Sequence, residues 1–321
     1  MAMNVVRYDD AGIPRWGLLV GDKIQTLDID GGSTALFMQT GIELAHAAAA
    51  SPAPDRDLAA TQLLCPITAD RQLIAQGLNY RSHLREIGIK SGQLPFNTLF
   101  RKASSCLAPA DTDIIRPSHV RLLDYEVEVG LVMKRAITGP VKVTRENLAE
   151  YVGALVLHND ISARDVQLPQ VQFYKGKSYR TFGPTGPWLT LVDAGDLMHF
   201  DKIELRLEVN GSVRQHALTS DLSYTPAVTL TELSEIQDLG PGDIIVTGTP
   251  GGTAVKSPPP LKMFIARLLP ERKRWDLFIK GALQDPDYLR DGDVMTASAS
   301  TADGRLDLGR QRNRIVAQHA V

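Results

Sequence analysis

Cysteine is scarce in this chain. Only Cys65 and Cys106 occur, far apart and without CxxC spacing, so neither a disulfide framework nor a thiolate zinc site is expected. Long apolar runs are missing too: none approaches the roughly 20 residues that span a bilayer as a helix, so no membrane partner is expected. Charge of one sign is not in excess. The 35 basic and 37 acidic residues leave a formal net charge of -2, which gives no electrostatic footprint for nucleic acid. The N-terminus carries no secretory signal, and a reduced, cytoplasmic setting is the expectation. GxxxxGK[ST] spacing, internal repeats and strand–helix alternation are all absent, which argues against a phosphate loop and a doubly wound parallel sheet.

What is present is an ordinary globular composition. With 321 residues, 43% of them hydrophobic, the chain can build one large domain and a small one. Val5–Tyr8, Arg15–Val20 and Lys23–Leu27 read as short strands between turn signals, followed by a helix over Thr34–Ala50 and the linker Ser51-Pro52-Ala53-Pro54-Asp55. A small N-terminal α+β domain is therefore placed at 1–65 and a larger domain at 66–321. In the larger one, strands are expected at Leu73–Leu78, Asp113–Ile115, Asp124–Met133, Val152–Leu157, Ile203–Asn210 and Asp243–Thr247, and from Asp293 onward. Helices are expected at Tyr80–Gly88, Thr144–Tyr151 and Thr231–Leu239. Asn210-Gly211 signals a hairpin, and Ser257-Pro258-Pro259-Pro260 opens an insertion-like segment, Leu261–Tyr288, with an amphipathic helix.

Five stretches could carry chemistry. Leu123–Met133 alternates with period two, which puts Asp124, Glu126 and Glu128 on one strand face. Like charges stacked there repel unless water or a cation neutralises them. A cation held by oxygen ligands, with no Cys or His pair nearby, would be Mg²⁺, Mn²⁺ or Ca²⁺; on this segment alone an antiparallel edge strand with its acidic face in water is the simpler reading. At the end of the apolar run Val152–Leu157, Asp160 could add a third carboxylate, or could cap a short helix starting at Ile161. Arg164 could fork onto a substrate carboxylate. His83 and Glu86 share a helix face, as a general base and its orienting acid would, though also as many solvated pairs do. In the glycine- and proline-rich Gly176–Pro187, Lys177 could stabilise an oxyanion. The strand Asp243–Thr247 runs into Gly248-Thr249-Pro250-Gly251-Gly252, a turn whose amides and Thr249 hydroxyl could meet a carboxylate.

Taken in order, these stretches resemble the fumarylacetoacetate hydrolase family. Gly77–Glu86 is similar to its G-x-N-Y-x-x-H-x-x-E segment and Asp124–Glu128 to its D-Y-E-x-E strand. Asn159–Gln167 is similar to N-D-x-[ST]-A-R-D-x-Q, Gly176-Lys177-Ser178 to its G-K-[ST] loop, and Pro241–Pro250 to P-G-D-I-I-x-T-G-T-P. The resemblance covers about residues 70–310. It implies an α+β, predominantly β fold, a mixed β-roll, and a homodimer. It also implies one Mg²⁺ or Mn²⁺ (Ca²⁺ being possible) on Glu126, Glu128 and Asp160, with His83, Glu86 and Lys177 catalytic and Arg164, Gln167 and Thr249 binding substrate. The activity implied is hydrolysis of a C–C bond in an acylpyruvate, fumarylacetoacetate-like or other 1,3-dicarbonyl or 2-oxo acid, as in aromatic compound catabolism. Decarboxylation or isomerisation of a 2-oxo acid uses the same metal chemistry, and a non-catalytic metal-stabilised binding protein is the alternative outside enzymes. One departure stands out: after T-G-T-P many members continue x-G-V-G, whereas here Gly251-Gly252-Thr253-Ala254-Val255-Lys256 leads into the inserted segment.

Overall fold

A computed structural model describes residues 2–89, 94–256 and 269–318. Ser257–Pro260 and the first part of the inserted segment lie outside the described residues. Its later part forms a helix, Glu271–Ala282.

The backbone is α+β and predominantly β. An 11-stranded mixed sheet runs in the order Arg56–Asp57, Lys23–Asp30, Ile13–Val20, Met3–Asp10, Leu189–Leu191, Val152–Asn159, Val127–Met133, Ile244–Val246, Leu73–Gly77, Thr98–Lys102, with Leu63–Leu64 also pairing Met3–Asp10. Its neighbours are antiparallel except Ile244–Val246 against Leu73–Gly77. A second, 5-stranded sheet orders Ser212–Leu218, Glu204–Val209, Val294–Ser300, Asp307–Ala317 and Ile114–Arg116. The two central strands of the large sheet, Val127–Met133 and Val152–Asn159, are buried along their whole length. Burial on both faces explains why Val152–Leu157 reads as a nearly continuous apolar run.

Most expected elements form, with three corrections. The run Leu123–Met133 is not one strand. Leu123–Asp124 pairs Ser162–Ala163, while Val127–Met133 pairs Val152–Asn159. Across the break, side chains replace the ladder: Asn159 Oδ1 accepts from the Glu126 N–H and Gln215 Oε1 from the Val127 N–H, each at 2.9 Å. Thr144–Tyr151 is not a helix either; only the 3-10 turn Leu148–Glu150 forms. Asn147 Oδ1 accepts from the Thr144 N–H, but the preceding backbone is tied to the helix opposite, through the Val143 N–H to Thr231 and the Val141 N–H to Ser234. The third correction concerns that opposing helix, which runs Pro226–Ile236 rather than Thr231–Leu239, starting on the Thr225-Pro226 signal.

Candidate active site

The site collects where the acidic strand breaks. Glu126, Glu128 and Asp160 bring one ligand oxygen each to within 4.8 Å of one another, and all three are buried. Asp160 follows directly on the buried strand Val152–Asn159, and its N–H donates to Glu126 O at 2.8 Å, so both acids are fixed by backbone. Asp160 caps no helix at Ile161; the nearby helix is Arg164–Gln170.

Three buried cations meet these acids. Lys177 Nζ donates to Glu126 Oε2 at 2.6 Å, Asp160 Oδ2 at 2.7 Å and Ser162 Oγ at 2.8 Å. Its approach depends on Gly176, where a Cβ would stand 2.6 Å from Gln167 Cβ, so only glycine lets the helix Phe173–Lys177 close on Arg164–Gln170. Lys102, at the end of Thr98–Lys102, donates to Asp160 Oδ1 at 2.5 Å and Phe182 O at 3.0 Å. Arg164 is fully engaged, with Nε on Asp124 at 2.8 Å, one terminal nitrogen on Gln167 Oε1 at 2.8 Å and the other on Glu126. Asp124 also accepts from the Ala254 and Val255 amides, which makes it an anchor for the turn after Gly252.

The charges do not balance evenly. Burial opposes ionisation of Glu126, but Lys177 and then Arg164 outweigh it and hold its carboxyl below the ordinary value. Burial likewise opposes Asp160, where Lys102 and Lys177 win and hold it far down. For Glu128 the charge of Lys177 and one amide favour the ionised form but are outweighed. Its one hydrogen bond comes from the Gly248 N–H at 2.8 Å, and no Lys or Arg among the described residues forms an ion pair with it. Burial, then the charges of Asp160 and Glu126, push its carboxyl well above the ordinary value. A dication would supply the missing charge. The oxygen-only donor set suits a hard cation, and Lys177 Nζ already stands as a positive charge between two of the three acids.

A small cleft opens onto this charge cluster. Glu126, Lys177, Arg164, Gln167, His83 and Thr249 are among the residues that line it, together with the apolar Leu78, Phe100 and Phe173. His83 comes from the helix Arg81–Glu86, whose N-terminus is held by Asp221 accepting from the Ser82 N–H. Its Nδ1 is buried without a hydrogen-bond partner, 3.9 Å from Glu86 Oε2. Glu86 instead accepts from the Gly252 N–H at 2.9 Å; His83 first, then this amide, outweigh its partial burial and lower its carboxyl. The Thr249 hydroxyl donates to Val127 O at 3.1 Å and accepts from Gln215 Nε2 at 2.8 Å.

The site residues named from sequence thus come together, with Glu86 at the rim and Asp124 set apart on the Arg164 side. Two contributors escaped sequence reasoning. Lys102 carried a usable signal, because period two along Thr98–Lys102 puts it on the inward face with Phe100 while Arg101 faces out. Gln215 carried none: it is the one buried residue of the otherwise open strand Ser212–Leu218, and its partners lie far along the chain.

The fumarylacetoacetate (FAA) hydrolase C-terminal family matches residues 72–316. The chain is 32% identical over 259 residues to a mitochondrial oxaloacetate tautomerase, FAHD2A, of Bos taurus, covering 77% of this chain and 80% of that one. In structure it is similar to a probable 2-hydroxyhepta-2,4-diene-1,7-dioate isomerase from Mycobacterium abscessus, with TM-score 0.73, 28% identity and full coverage of both chains. It is also similar to a fumarylacetoacetate hydrolase from Exiguobacterium antarcticum, with TM-score 0.70, 27% identity, and coverage of 98% of this chain and 100% of that one. These relatives carry tautomerase, isomerase and hydrolase names, so the common ground is wider than hydrolysis. The chain belongs to the fumarylacetoacetate hydrolase family.

Proposed function

We propose that this chain is a divalent-metal-dependent enzyme that moves a proton at the carbon beside the carbonyl of a short 2-oxo acid, interconverting enol and keto forms. The observation that carries the reading is that Glu126, His83 and Lys177 line one cleft, directly over the three-carboxylate cluster. Glu126, Glu128 and Asp160 would hold Mg²⁺ or Mn²⁺, with Ca²⁺ a weaker fit. Such an ion, when bound, stabilises negative charge developing on the carbonyl oxygen.

The chain's own groups do the rest. His83, whose imidazole lines the cleft, is the group placed to take a proton from the substrate carbon and return it. Lys177 keeps an ammonium beside the cleft and supports the enolate oxygen. Gln167, its Oε1 held by Arg164, offers its amide nitrogen to the substrate carboxylate. Arg164 acts through Glu126 and Gln167, because all its nitrogens are engaged. Thr249 shapes the cleft wall beside them. The 32% identity to an oxaloacetate tautomerase supports this reading.

Water-driven C–C cleavage of an acylpyruvate-like acid is the second reading. It is favoured by Glu86, whose carboxylate could orient His83 toward water after a small approach. Under either reading, a homodimer and a reduced cytoplasmic setting remain proposals; the free, buried Cys65 and Cys106 support the latter.

The two readings separate in one experiment. With Mn²⁺ present, oxaloacetate in D₂O is followed by NMR for exchange at C3, and acetylpyruvate for release of acetate and pyruvate. Exchange without carbon loss, abolished in His83→Asn while Mn²⁺ still binds, is expected. Acetate and pyruvate without exchange would install the hydrolase instead, and neither activity would leave a binding protein.

A further inference from the structure

Asp160 is gripped from two sides, and the two lysines differ in what they touch. Lys177 reaches Oδ2 from the cleft and shares its ammonium with Glu126, so it occupies the space a cation would take. Lys102 reaches Oδ1, makes its other hydrogen bond to Phe182 O, is not among the cleft-lining residues, and its side chain is 0% exposed. A dication entering from the cleft displaces the Lys177 ammonium. It has no reason to displace Lys102, whose Nζ would be stranded in a dry interior with one carbonyl for company.

We propose that Lys102 selects the metal, by reserving Oδ1 and holding Asp160 to coordination through Oδ2 alone. The inference rests on the reading of Glu126, Glu128 and Asp160 as a cation site. Small ions of the Mg²⁺ kind take six ligands in near-octahedral geometry at about 2.0–2.1 Å, which one-oxygen carboxylates satisfy. Ca²⁺ takes six to eight oxygens at about 2.3–2.6 Å and is commonly completed by carboxylates giving both oxygens. For Asp160 to give both, Oδ1 must turn from Lys102 toward the ion. Lys102 is therefore a positioning residue that disfavours Ca²⁺ without touching it.

Lys102→Met keeps the stem and removes the ammonium. Asp160 retains Lys177 in the metal-free protein, so the fold keeps one of its two pairs there. Mg²⁺, Mn²⁺ and Ca²⁺ affinities are measured by calorimetry on the full chain, wild type and variant, alongside the metal-free unfolding midpoint. The ions carry equal charge, so the lost ammonium changes their affinities alike and cancels in the ratio. The proposal expects the Ca²⁺/Mg²⁺ affinity ratio to rise on the order of tenfold, about 1.4 kcal/mol by conversion. An unchanged ratio, with all three ions shifting together or only the midpoint falling, overturns it. Should the variant not fold, a crystal of the wild type soaked in Ca²⁺ decides: Asp160 bound through Oδ2 with Lys102 still on Oδ1 supports the proposal, and two-oxygen coordination overturns it. Failure of the wild type to bind any of the three ions would instead remove the metal reading beneath it.

Discussion

Glu128 sits 1% exposed with one amide hydrogen bond and two neighbouring carboxylates, while the cations go to Glu126 and Asp160. Retaining a charge there stresses the metal-free fold. Glu128→Gln keeps the shape and an acceptor for the Gly248 N–H but removes the repulsion. It should raise metal-free stability by roughly 0.5–2 kcal/mol in urea unfolding; a loss of stability would mean that Glu128 is already compensated. At this scale the acids were legible because alternation along a strand, and a polar residue at a buried strand's end, are local patterns. Asp124 shared the alternation yet ended on Arg164, since periodicity does not show which acid a break in the strand will turn away. Lys102 and Gln215 act across 58 and 88 residues of sequence: period two can mark Lys102 as inward-facing, but no local pattern names the distant partner of either.

Turns show how an element can carry the site. At Gly211, φ is +80° and a Cβ would meet nothing within 4 Å; at Gly252, φ is +97° and a Cβ would lie 1.9 Å from Arg214 O. Gly211→Ala should therefore cost about 1 kcal/mol, purely conformational. Gly252→Ala must also move backbone and pull its N–H from Glu86, and should cost roughly 2–4 kcal/mol. Equal losses in chemical denaturation would show that the Gly252 contact is not holding the turn. The Asn210-Gly211 hairpin was readable because both residues take positive φ, as that dipeptide favours. The helix expected at Thr144–Tyr151 was not, because Thr231 and Ser234, on a helix far along the chain, claim the backbone leading into it. The helix that carries them starts at Pro226, where a proline at the first helical position marks an N-terminus ahead of the expected Thr231.

Across the whole molecule, both sheets and the loops between them close over one polar interior, whose acid response follows from its histidine. The Thr185 hydroxyl donates to Gly183 O and so accepts from His158 Nδ1–H, leaving Nε2 buried without a partner. Burial, then the nearby Lys102, lower this imidazole from the ordinary 6.5 to about 3. Between those values the unfolded chain binds a proton that the native His158 refuses, so this residue's contribution to stability falls as pH drops from 6.5 toward 3. His158→Asn, which preserves a donor toward Thr185, should flatten that limb of the unfolding midpoint against pH; an unchanged slope would assign the acid response elsewhere. A strand-rich fold without strand–helix alternation was legible in the residues and the mixed β-roll only through the family resemblance, whereas the strand order was not legible, because neighbours such as Met3–Asp10 and Leu189–Leu191 lie far apart in the chain.

The divalent-cation site proposed on Glu126, Glu128 and Asp160 underlies all the chemistry assigned to this chain. Calorimetric titration of the wild type and of Glu128→Gln with Mn²⁺, with and without oxalate as a 2-oxo acid mimic, tests it most directly. One ion per chain, bound more tightly with oxalate and weakened at least tenfold by the substitution, is the result expected. No binding by the wild type, or undiminished binding by the variant, would contradict it.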